Sequence, residues 1–213
     1  MTKLGVFKID ANVELPTKGS EQSSCYDIHS FLETSYTVDI FNKGGVKARP
    51  VETNGVNGTK YVILHSYERI KVPTGLILDI PATHDVKVYP RSGLSLKNGI
   101  SLSNCTAVID SDYKNELFIT LINNSHDAFI IEDKMRIAQM ELCLKENYTL
   151  EVIDKAPKKT TSRSGGLGST GTSAVTSSGG SKSNDKEAKT ETKTETKTAQ
   201  PQSQKKLSSN GEK

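Results

Sequence analysis

The chain has 213 residues, of which 34% are hydrophobic and only 6% aromatic, a low apolar content for one packed domain of this length. The first 171 residues carry equal numbers of basic and acidic side chains, so the net charge of +3 comes from the residues after Gly171. A neutral folded part lacks the clustered basic face that duplex nucleic acid needs, so nucleic acid is not an expected partner. The three cysteines have no CxxC spacing and indicate neither a disulfide framework nor a zinc site.

We expect neither a signal peptide in residues 1–10 nor a membrane span in this sequence. Residues 1–10 lack the apolar core of a signal peptide, and no run approaches the ~20 apolar residues of a membrane span. Residues 172–213 are rich in Ser, Thr and Lys and contain a KTET repeat, so we expect them to be disordered. Because the cysteines suit a reducing compartment, we predict a cytoplasmic protein without membrane association, in the host cytoplasm if the source is viral.

Short strands separated by turns are predicted from the beginning of the chain. Leu4 to Ile9 alternates apolar and polar residues, and residues 25–31 form a second extended segment. Residues 34–64 contain two Asn-Gly pairs between apolar runs, at positions 54 and 57, and Asn-Gly favours tight β-turns. We therefore predict a β-hairpin arm over this segment.

The strand pattern continues from residue 69 to residue 153 and predicts an all-β sandwich or barrel. Turn signals such as Pro73-Thr74-Gly75 separate the predicted strands, which cover residues 75–80, 84–89, 106–109, 116–122, 128–131, 136–144 and 148–153. Only Ser92 to Asn98 has a helical pattern, in which Ser92 is expected to cap the helix and Gly99 to end it.

Two segments contain residues suited to binding phosphate. Arg91, Ser92 and Gly93 would bring a guanidinium and free backbone N–H groups to the start of the short helix. Residues 163–171, RSGGLGSTG, have a Gly-rich backbone that can close over an anion. Taken alone, the first segment is more often a capped helix with a surface Arg, and the second is as often a flexible linker.

A third segment, NCTAVIDSDYKNE at residues 104–116, runs from β-branched and apolar residues directly into Asp110 and Asp112. A carboxylate within reach of a water molecule can take its proton during hydrolysis. A buried strand that leads into an acidic hairpin turn is nevertheless the better explanation of this segment alone. Its meaning therefore depends on the other segments of the chain.

Five blocks, in this order and spacing, resemble the trimeric dUTP pyrophosphatase (dUTPase) family over about residues 20–171. They are CYDI at 25–28, YPRSGLSLKNG at 89–99, NCTAVIDSDYKNE at 104–116, MRIAQM at 135–140 and RSGGLGSTG at 163–171. Five ordered blocks are a specific signal, whereas each block alone would be a weak one.

The resemblance also implies how the chain is organised. It implies a jelly-roll-like β domain over residues 1–155, with an insertion at about 34–64 and one short helix. A Gly-rich closing arm would follow at 156–171, and the low-complexity tail would cover 172–213. A compact enzyme with such an insertion and tail would suit a phage.

The function implied by the resemblance is the Mg²⁺-dependent hydrolysis of dUTP to dUMP and pyrophosphate, in a homotrimer whose subunits share the active sites. Asp110 matches the residue that activates the attacking water, and Tyr113 the residue that packs against the deoxyribose. Asn104 matches a position that helps a hairpin to read uracil. Asp27 matches the residue that holds magnesium through ordered water, and magnesium commonly uses few direct carboxylates.

The same resemblance assigns a second group of residues to the phosphates and to closure over the base. The residues that match phosphate-binding positions are Arg91, Ser92, Gly93, Gln139, Arg163, Ser169 and Thr170. Leu167 matches the position that covers uracil, where the family usually has an aromatic ring. Because Leu cannot stack as a π-system, we expect weaker closure with activity retained. Arg136 is expected to form a structural ion pair.

Two other functions are compatible with these residues. A nucleotide-binding regulatory protein would keep the pocket and contact a protein partner through the insertion or the tail. A dCTP deaminase-like enzyme would share the fold and some phosphate-binding residues, but such enzymes lack the IDSDY pattern and the Gly-rich arm in this form. The hydrolase implied by the resemblance would keep uracil out of DNA and supply dUMP for dTMP synthesis.

Overall fold

The computed structural model describes residues 2–161. By its internal contacts the chain divides into two units, Met1–Val152 and Ile153–Lys213, and every helix and strand given below lies in the first. The predicted disordered tail at 172–213 lies outside the described residues, and so do the predicted site residues of the closing arm, which are Arg163, Leu167, Ser169 and Thr170.

Within residues 2–161 the chain forms fourteen strands and one helix. In chain order they are β1 (Gly5–Lys8), β2 (Thr17–Lys18), β3 (Tyr26–His29), β4 (Thr37–Asn42), β5 (Gly45–Pro50), β6 (Glu52–Thr53), β7 (Lys60–Leu64), β8 (Arg69–Asp79), β9 (His84–Tyr89), α1 (Ser92–Asn98), β10 (Ile100–Leu102), β11 (Ala107–Ile109), β12 (Glu116–Asn123), β13 (Phe129–Glu132) and β14 (Arg136–Leu144). The predicted all-β class is confirmed, and β9, β14 and α1 have the predicted bounds.

The largest sheet has six strands in the order β10-β12-β8-β4-β5, with β1 also paired to β8. Its central strand, β8, continues through Pro73-Thr74-Gly75, so the turn predicted there is wrong. Pro73 removes one ladder donor, but the hydroxyl of buried Thr74 donates to the carbonyl of Leu117 on β12 (2.6 Å). This added bond keeps β8 attached to β12 where a break was expected.

Two smaller sheets complete the fold. Five strands form the second sheet in the order β11-β9-β14-β3-β2, so β14 lies at its centre. The third sheet joins β13, β7 and β6. All of the strand pairs within the described residues are antiparallel.

The segment predicted as one β-hairpin arm, residues 34–64, forms two hairpins. β4 and β5 pair at the edge of the six-stranded sheet, whereas β6 and β7 pair in the three-stranded sheet. Val62 and Leu64 on β7 are 1% and 0% exposed, and β7 also pairs with β13. The second hairpin is therefore anchored in the packed domain by β7.

The core is built from strands whose buried residues alternate with outward-facing ones. On β12, Leu117, Ile119 and Leu121 are buried, and the residues between them are half-buried. This period of two is expected for a strand that buries one face. Because burying each such side chain contributes about 1.5–3 kcal/mol, a shift of one residue against β8 would be strongly unfavourable.

The helix α1 connects β9 to β10. Gly99 ends it as predicted, with a φ of 69° and its N–H bonded back to the carbonyl of Ser95. The predicted Ser92 cap is wrong, because Arg91 occupies the N-cap position in an extended conformation without a side-chain capping bond. Ser92 already lies in the first turn. Among residues 2–161, no helix is long and apolar enough to cross a membrane.

The strand predicted over residues 148–153 does not form. Tyr148, Leu150 and Val152 are 81%, 92% and 94% exposed, and no strand of the described chain pairs with residues 148–152. A strand persists only when its backbone N–H and C=O groups find partners. The alternating apolar pattern is present in the sequence, but residues 2–161 supply no strand to pair with it.

Candidate active site

Three strands of the five-stranded sheet bring distant parts of the sequence side by side. Gln139 on β14 lies opposite Asp27 on β3 and opposite Tyr89 on β9. Pro90 and Arg91 follow Tyr89 and lead into α1. The register of β14 therefore unites three of the five sequence blocks, those at 25–28, 89–99 and 135–140.

Arg91 and Asp27 form the ion pair at the centre of this cluster. The Nε of Arg91 donates to Oδ1 of Asp27 at 2.9 Å, and its Nη2 lies 3.4 Å from Oδ2. Arg136 donates to the same Oδ2 from Nη1 at 3.2 Å, which confirms the predicted structural ion pair. One carboxylate thus faces two guanidinium groups, so the cluster keeps a net charge of about +1.

A cavity of about 280 Å³ opens beside this ion pair, and we call it the Arg91 cavity. Its lining consists of Asp27, Arg91, Ser92, Gly93, Leu94, Lys97, Asn98 and Gln139. The side-chain amide of Gln139 donates to the carbonyl of Pro90 at 2.9 Å and thereby ties β14 to the start of α1. Since first-turn N–H groups lack intrahelical partners, the cavity combines free donors with positive charge, which suits an anion such as phosphate.

A second cavity, the Asp110 cavity, has a volume of about 470 Å³ and lies where β11 ends. Its lining consists of Lys71, Val108, Ile109, Asp110, Tyr113, Asn115, Leu117 and Phe118. The N–H of Tyr113 donates to the carbonyl of Asp110 at 3.1 Å, and its hydroxyl donates to the carbonyl of Glu116 at 2.8 Å. These bonds hold the Tyr113 ring in place beside the exposed Asp110.

The two cavities have no lining residue in common among the described residues. Asp110 and Tyr113 line one of them, whereas Asp27, Arg91, Ser92, Gly93 and Gln139 line the other. Within residues 2–161, a single chain therefore does not bring Asp110 into one cavity with Arg91, Ser92, Gly93 and Gln139.

Asn104, predicted to help read uracil, lines neither cavity. It is exposed, and its Oδ1 accepts a hydrogen bond from the hydroxyl of Thr120 at 2.7 Å. Because Oδ1 accepts this bond, the side-chain N–H groups are the donors that Asn104 can still offer to a ligand.

Lys71 and Phe118 line the Asp110 cavity, although sequence reasoning identified neither of them. The Nζ of Lys71 lies 4.0 Å from the centroid of the Phe118 ring, within the range of a cation–π interaction. Lys71 lies on β8 and pairs with Thr120 on β12. Only the register of these two strands brings Lys71 to the cavity, and no local sequence pattern marks it.

The described residues contain no cluster of three or more His, Cys, Asp or Glu side chains able to hold a metal ion. Both carboxylate oxygens of Asp27, the predicted magnesium contact, accept bonds from guanidinium groups. A carboxylate can accept further hydrogen bonds, including one from a metal-bound water. The carboxylate of Asp27 therefore fits a contact to magnesium through water, an arrangement that needs few protein ligands.

His29 lies two residues beyond Asp27 on β3, and its Nδ1 is buried without a hydrogen-bond partner in the part of the chain that the structure describes. Burial lowers the pKa of His29 below its ordinary value of 6.5, and the opposing effect of the Glu14 carboxylate is smaller. At neutral pH the imidazole is therefore uncharged and adds nothing to the positive charge of Arg91 and Arg136.

Comparison with known proteins relates the chain to one family. The family model described as dUTPase matches residues 56–171. The deoxyuridine 5'-triphosphate nucleotidohydrolase of Leptospira interrogans is 34% identical over 169 residues, which cover 79% of this chain and 99% of that protein. The enzyme of the same name from Finegoldia magna is 37% identical over 144 residues, which cover 63% of this chain and 98% of that protein.

Solved structures have the same fold. The dUTPase of phage phi11 of S. aureus, whose mutant was solved with a structural Mg(II) ion, matches with a TM-score of 0.55 and 17% identity over 74% of this chain and 100% of that chain. The dUTPase of Staphylococcus bacteriophage 80alpha, solved with dUpNHpp, matches with a TM-score of 0.61 and 18% identity over 81% of this chain and 100% of that chain. These likenesses concern the fold, and they confirm the predicted dUTPase architecture.

The family match begins at residue 56, within the segment predicted as an insertion. β7 therefore lies inside the matched region, in agreement with its pairing to β13 and its buried side chains. The comparisons favour neither of the two alternative functions, the regulatory protein and the deaminase-like enzyme.

Proposed function

Because the chain belongs to the dUTPase family, we propose that it hydrolyses dUTP to dUMP and pyrophosphate. The observation that carries this proposal is the exposed carboxylate of Asp110, which lines a cavity together with Tyr113 inside the family match. Hydrolysis of dUTP would keep uracil out of DNA and supply dUMP for dTMP synthesis.

Asp110 is the group that activates water in this proposal. Its carboxylate accepts a proton as the water oxygen forms a bond to the α-phosphorus of dUTP. The bond from the α-phosphorus to the bridging oxygen breaks, and pyrophosphate leaves with the electron pair of that bond. The position of Asp110 at the end of β11, exposed to the cavity, supports this role because a general base must reach the reacting water.

The Arg91 cavity binds the phosphates. Arg91 and Gln139 are held by bonds to Asp27 and to the carbonyl of Pro90, so little side-chain freedom remains to be lost on binding. The backbone N–H groups of Ser92 and Gly93 add neutral donors at the start of α1. The net positive charge of the cluster favours a triphosphate over an uncharged ligand.

Tyr113 and Asn104 select the nucleoside. The Tyr113 ring, fixed by its bond to the carbonyl of Glu116, packs against the deoxyribose and fills the space that a ribose 2′-hydroxyl would need. Asn104 helps the 104–116 hairpin to read the uracil edge through its amide. In the closing arm, Arg163, Ser169 and Thr170 bind the phosphates and Leu167 covers the base. These roles rest on the resemblance to the family alone.

In this proposal Asp27 would hold the magnesium of the Mg²⁺–dUTP complex through a water molecule, since magnesium commonly keeps several waters and uses few direct carboxylates. The bound ion would supply positive charge that offsets the charge of the phosphates.

The active enzyme is a homotrimer in which neighbouring subunits complete each other's sites. The separation of the Asp110 cavity from the Arg91 cavity supports this arrangement, since one chain alone offers each half in a different place. The exposed apolar residues Tyr148, Leu150 and Val152 also support it, because they alternate as in a strand that lacks its partner. The enzyme works in the cytoplasm, where its three free cysteines stay reduced.

Initial rates of pyrophosphate release test the proposal, with dUTP, dCTP, dTTP and UTP compared in the presence of Mg²⁺. Wild type should turn over dUTP and none of the others at a comparable rate. Asp110→Asn should lower kcat by about 10²- to 10⁴-fold, the range of general-base catalysis, while dUpNHpp still binds. Asp112→Asn, an exposed carboxylate two residues away, should stay close to wild type. A wild type without dUTP turnover, or an unaffected Asp110→Asn, would reject the proposal.

A further inference from the structure

Three Asn-Gly pairs occur among the described residues, beginning at Asn54, Asn57 and Asn98. In such a pair the backbone nitrogen of the glycine can attack the side-chain amide carbon of the asparagine. Glycine permits this ring closure because it has no Cβ to obstruct it. In a folded chain the reaction further requires that the N–H of the glycine is not donated in a hydrogen bond to another group.

The three glycine nitrogens differ in their hydrogen bonds. The N–H of Gly58 donates to the carbonyl of Asn54 at 2.8 Å, and the N–H of Gly99 donates to the carbonyl of Ser95 at 3.2 Å. The N–H of Gly55 has no hydrogen-bond partner among residues 2–161. An attack by Gly58 or Gly99 must first break a bond that stabilises the fold, whereas Gly55 loses none.

The surroundings separate Asn98-Gly99 from the other two pairs. Residues 54–58 are all exposed, and a Cβ built at Gly55 or at Gly58 would meet no atom within 4 Å. Asn98 is instead the last residue of α1, and a Cβ at Gly99 would lie 3.1 Å from Ser125. Space for a cyclic intermediate is therefore available at residues 54–55 and 57–58 and restricted at residues 98–99.

The side-chain environments of Asn54 and Asn57 do not distinguish them. Oδ1 of Asn54 accepts the N–H of Val56 at 2.9 Å, and Oδ1 of Asn57 accepts the N–H of Thr59 at 3.0 Å. Each bond polarises the amide carbonyl and makes its carbon more open to attack. The difference between the two pairs lies in the glycine nitrogen alone.

We propose that Asn54 is a site of spontaneous deamidation and that the fold protects Asn57 and Asn98. The Gly55 nitrogen forms a bond to Cγ of Asn54, the bond from Cγ to the side-chain nitrogen breaks, and ammonia leaves with the proton from Gly55. Water then opens the resulting succinimide at either carbonyl and yields aspartate or isoaspartate at position 54. The reaction needs water only.

The products alter the turn between β6 and β7. The N–H of Asn54 bonds the carbonyl of Thr59, and its carbonyl accepts the N–H of Gly58, so an isoaspartate that reroutes the backbone breaks this pairing. The new carboxylate also lines a small cavity that contains Glu132, whose like charge is unfavourable. The modification loosens the β6–β7 hairpin and leaves the Arg91 and Asp110 cavities untouched, since neither contains these residues.

Peptide mapping by mass spectrometry tests the proposal after the full chain has been incubated at mildly alkaline pH. Asn54 should be modified at least about fivefold faster than Asn57 or Asn98. At the other two pairs a hydrogen bond must first be broken, and the free energy of one ordinary hydrogen bond corresponds to about a fivefold change in rate. In urea, where the fold is lost, the three rates should converge. Equal or faster reaction at Asn57 or Asn98 in the folded chain would overturn the proposal, as would an unmodified Asn54. A fourth pair, Asn210-Gly211, lies outside the described residues and is mapped separately.

Gly55→Ala is the matched control variant. Its new Cβ meets no atom within 4 Å, so the fold and the rate of dUTP hydrolysis should stay as in wild type. The methyl group obstructs ring closure, so modification of Asn54 should fall at least about fivefold, while Asn57 keeps its wild-type rate. Unchanged modification of Asn54 in Gly55→Ala would exclude attack by the Gly55 nitrogen.

Discussion

The guanidinium of Arg91 donates to the carboxylate of Asp27 at 2.9 Å, although 64 residues separate them in the chain. Their side chains are only 26% and 13% exposed, so water screens this pair less than an ordinary surface ion pair. Arg136 bonds the same carboxylate, and the three side chains restrain one another. The Arg91 cavity is therefore ordered before any ligand enters it.

Asp27→Asn should raise the Mg²⁺ concentration needed for half-maximal dUTP hydrolysis. The carboxylate is proposed to bind a metal-bound water, and loss of such an outer contact typically weakens metal affinity by about 10- to 100-fold. A Mg²⁺ titration of the initial rate at fixed dUTP measures the effect.

Asp39→Asn serves as the matched control for Asp27→Asn, because Asp39 is an exposed carboxylate on β4 that lines neither cavity. Its Mg²⁺ midpoint should equal that of wild type. If Asp27→Asn kept the wild-type midpoint and raised only KM for dUTP, Asp27 would act by positioning Arg91 and would not contact the metal's water.

Glu68→Gln should destabilise the protein without changing either cavity. Glu68 is 7% exposed, accepts bonds from both terminal nitrogens of Arg49 at 2.7 and 3.0 Å, and accepts the N–H of His65 at 3.0 Å. Because the variant leaves a half-buried guanidinium without its counter-charge, the free energy of unfolding should fall by about 2–4 kcal/mol. Urea unfolding at neutral pH measures the change.

The exposed ion pair between Lys114 and Asp79 provides the comparison for Glu68. The Asp79 side chain is 86% exposed, so Asp79→Asn should change the free energy of unfolding by less than about 1 kcal/mol. Equal effects of Glu68→Gln and Asp79→Asn would mean that the Arg49–Glu68 pair contributes no more than a surface pair.

His29 should make the protein less stable as the pH falls from about 7 to about 5. Burial lowers the pKa of His29 in the folded state below 6.5, so the unfolded chain binds more protons in this window and the folded state loses stability. His29→Gln should remove this part of the decrease, as measured by urea unfolding across the same pH range.

An NMR titration of the His29 ring tests the cause of that pH dependence. The Glu14 carboxylate favours the charged imidazole, so Glu14→Gln should lower the pKa of His29 further. A pKa of 6.5 or above in the folded protein, or a rise in Glu14→Gln, would contradict the assignment.

Gly75→Ala should cost about 2–4 kcal/mol of unfolding free energy. Gly75 lies within β8 at a φ of 67°, and an added Cβ would collide with Cγ2 of Val13 and lie 3.0 Å from the ring of Phe31. Gly55→Ala, where no atom lies within 4 Å, should change stability by less than about 0.5 kcal/mol. Equal stabilities of the two variants in urea would show that Val13 and Phe31 can move aside.

Local patterns predicted the bounds of the helix α1 and of the strands β9 and β14. The α1 bounds and its end at Gly99 follow from residue type, and β9 and β14 follow from alternation. The segment at 148–153 has the same alternation but no paired neighbour within residues 2–161, because strand formation depends on a second strand that local sequence does not specify. In β8 the local signal predicted a turn, but the strand continues. The hydroxyl of Thr74 donates a hydrogen bond to the carbonyl of Leu117 on β12, which no rule for turns anticipates.

The five ordered sequence blocks made the site residues predictable. They did not predict which of these residues contact one another. Nothing in the sequence near Asp27 indicates that Arg91 and Arg136 share its carboxylate, since this follows from the register of β3 against β14. Lys71 is a similar case, because it reaches the Asp110 cavity only through the pairing of β8 with β12. The register of a strand depends on the whole sheet, so the residues of one segment do not predict it.

The separation of the two cavities within one chain has a consequence for assembly. If Asp110 of one subunit works with Arg91 of another, a variant that lacks either residue is inactive as a homotrimer. A mixed trimer then contains sites that draw both intact residues from different subunits.

Asp110→Asn and Arg91→Ala, each inactive alone, should therefore regain activity when they are unfolded in urea, mixed in equal amounts and refolded together. With random mixing, about one quarter of the sites combine an intact Asp110 with an intact Arg91, so about a quarter of the wild-type rate should return. The same proteins refolded separately and then combined are the control and should remain inactive. If the refolded mixture were as inactive as its components, both residues would have to come from one chain, and the shared-site trimer would be rejected.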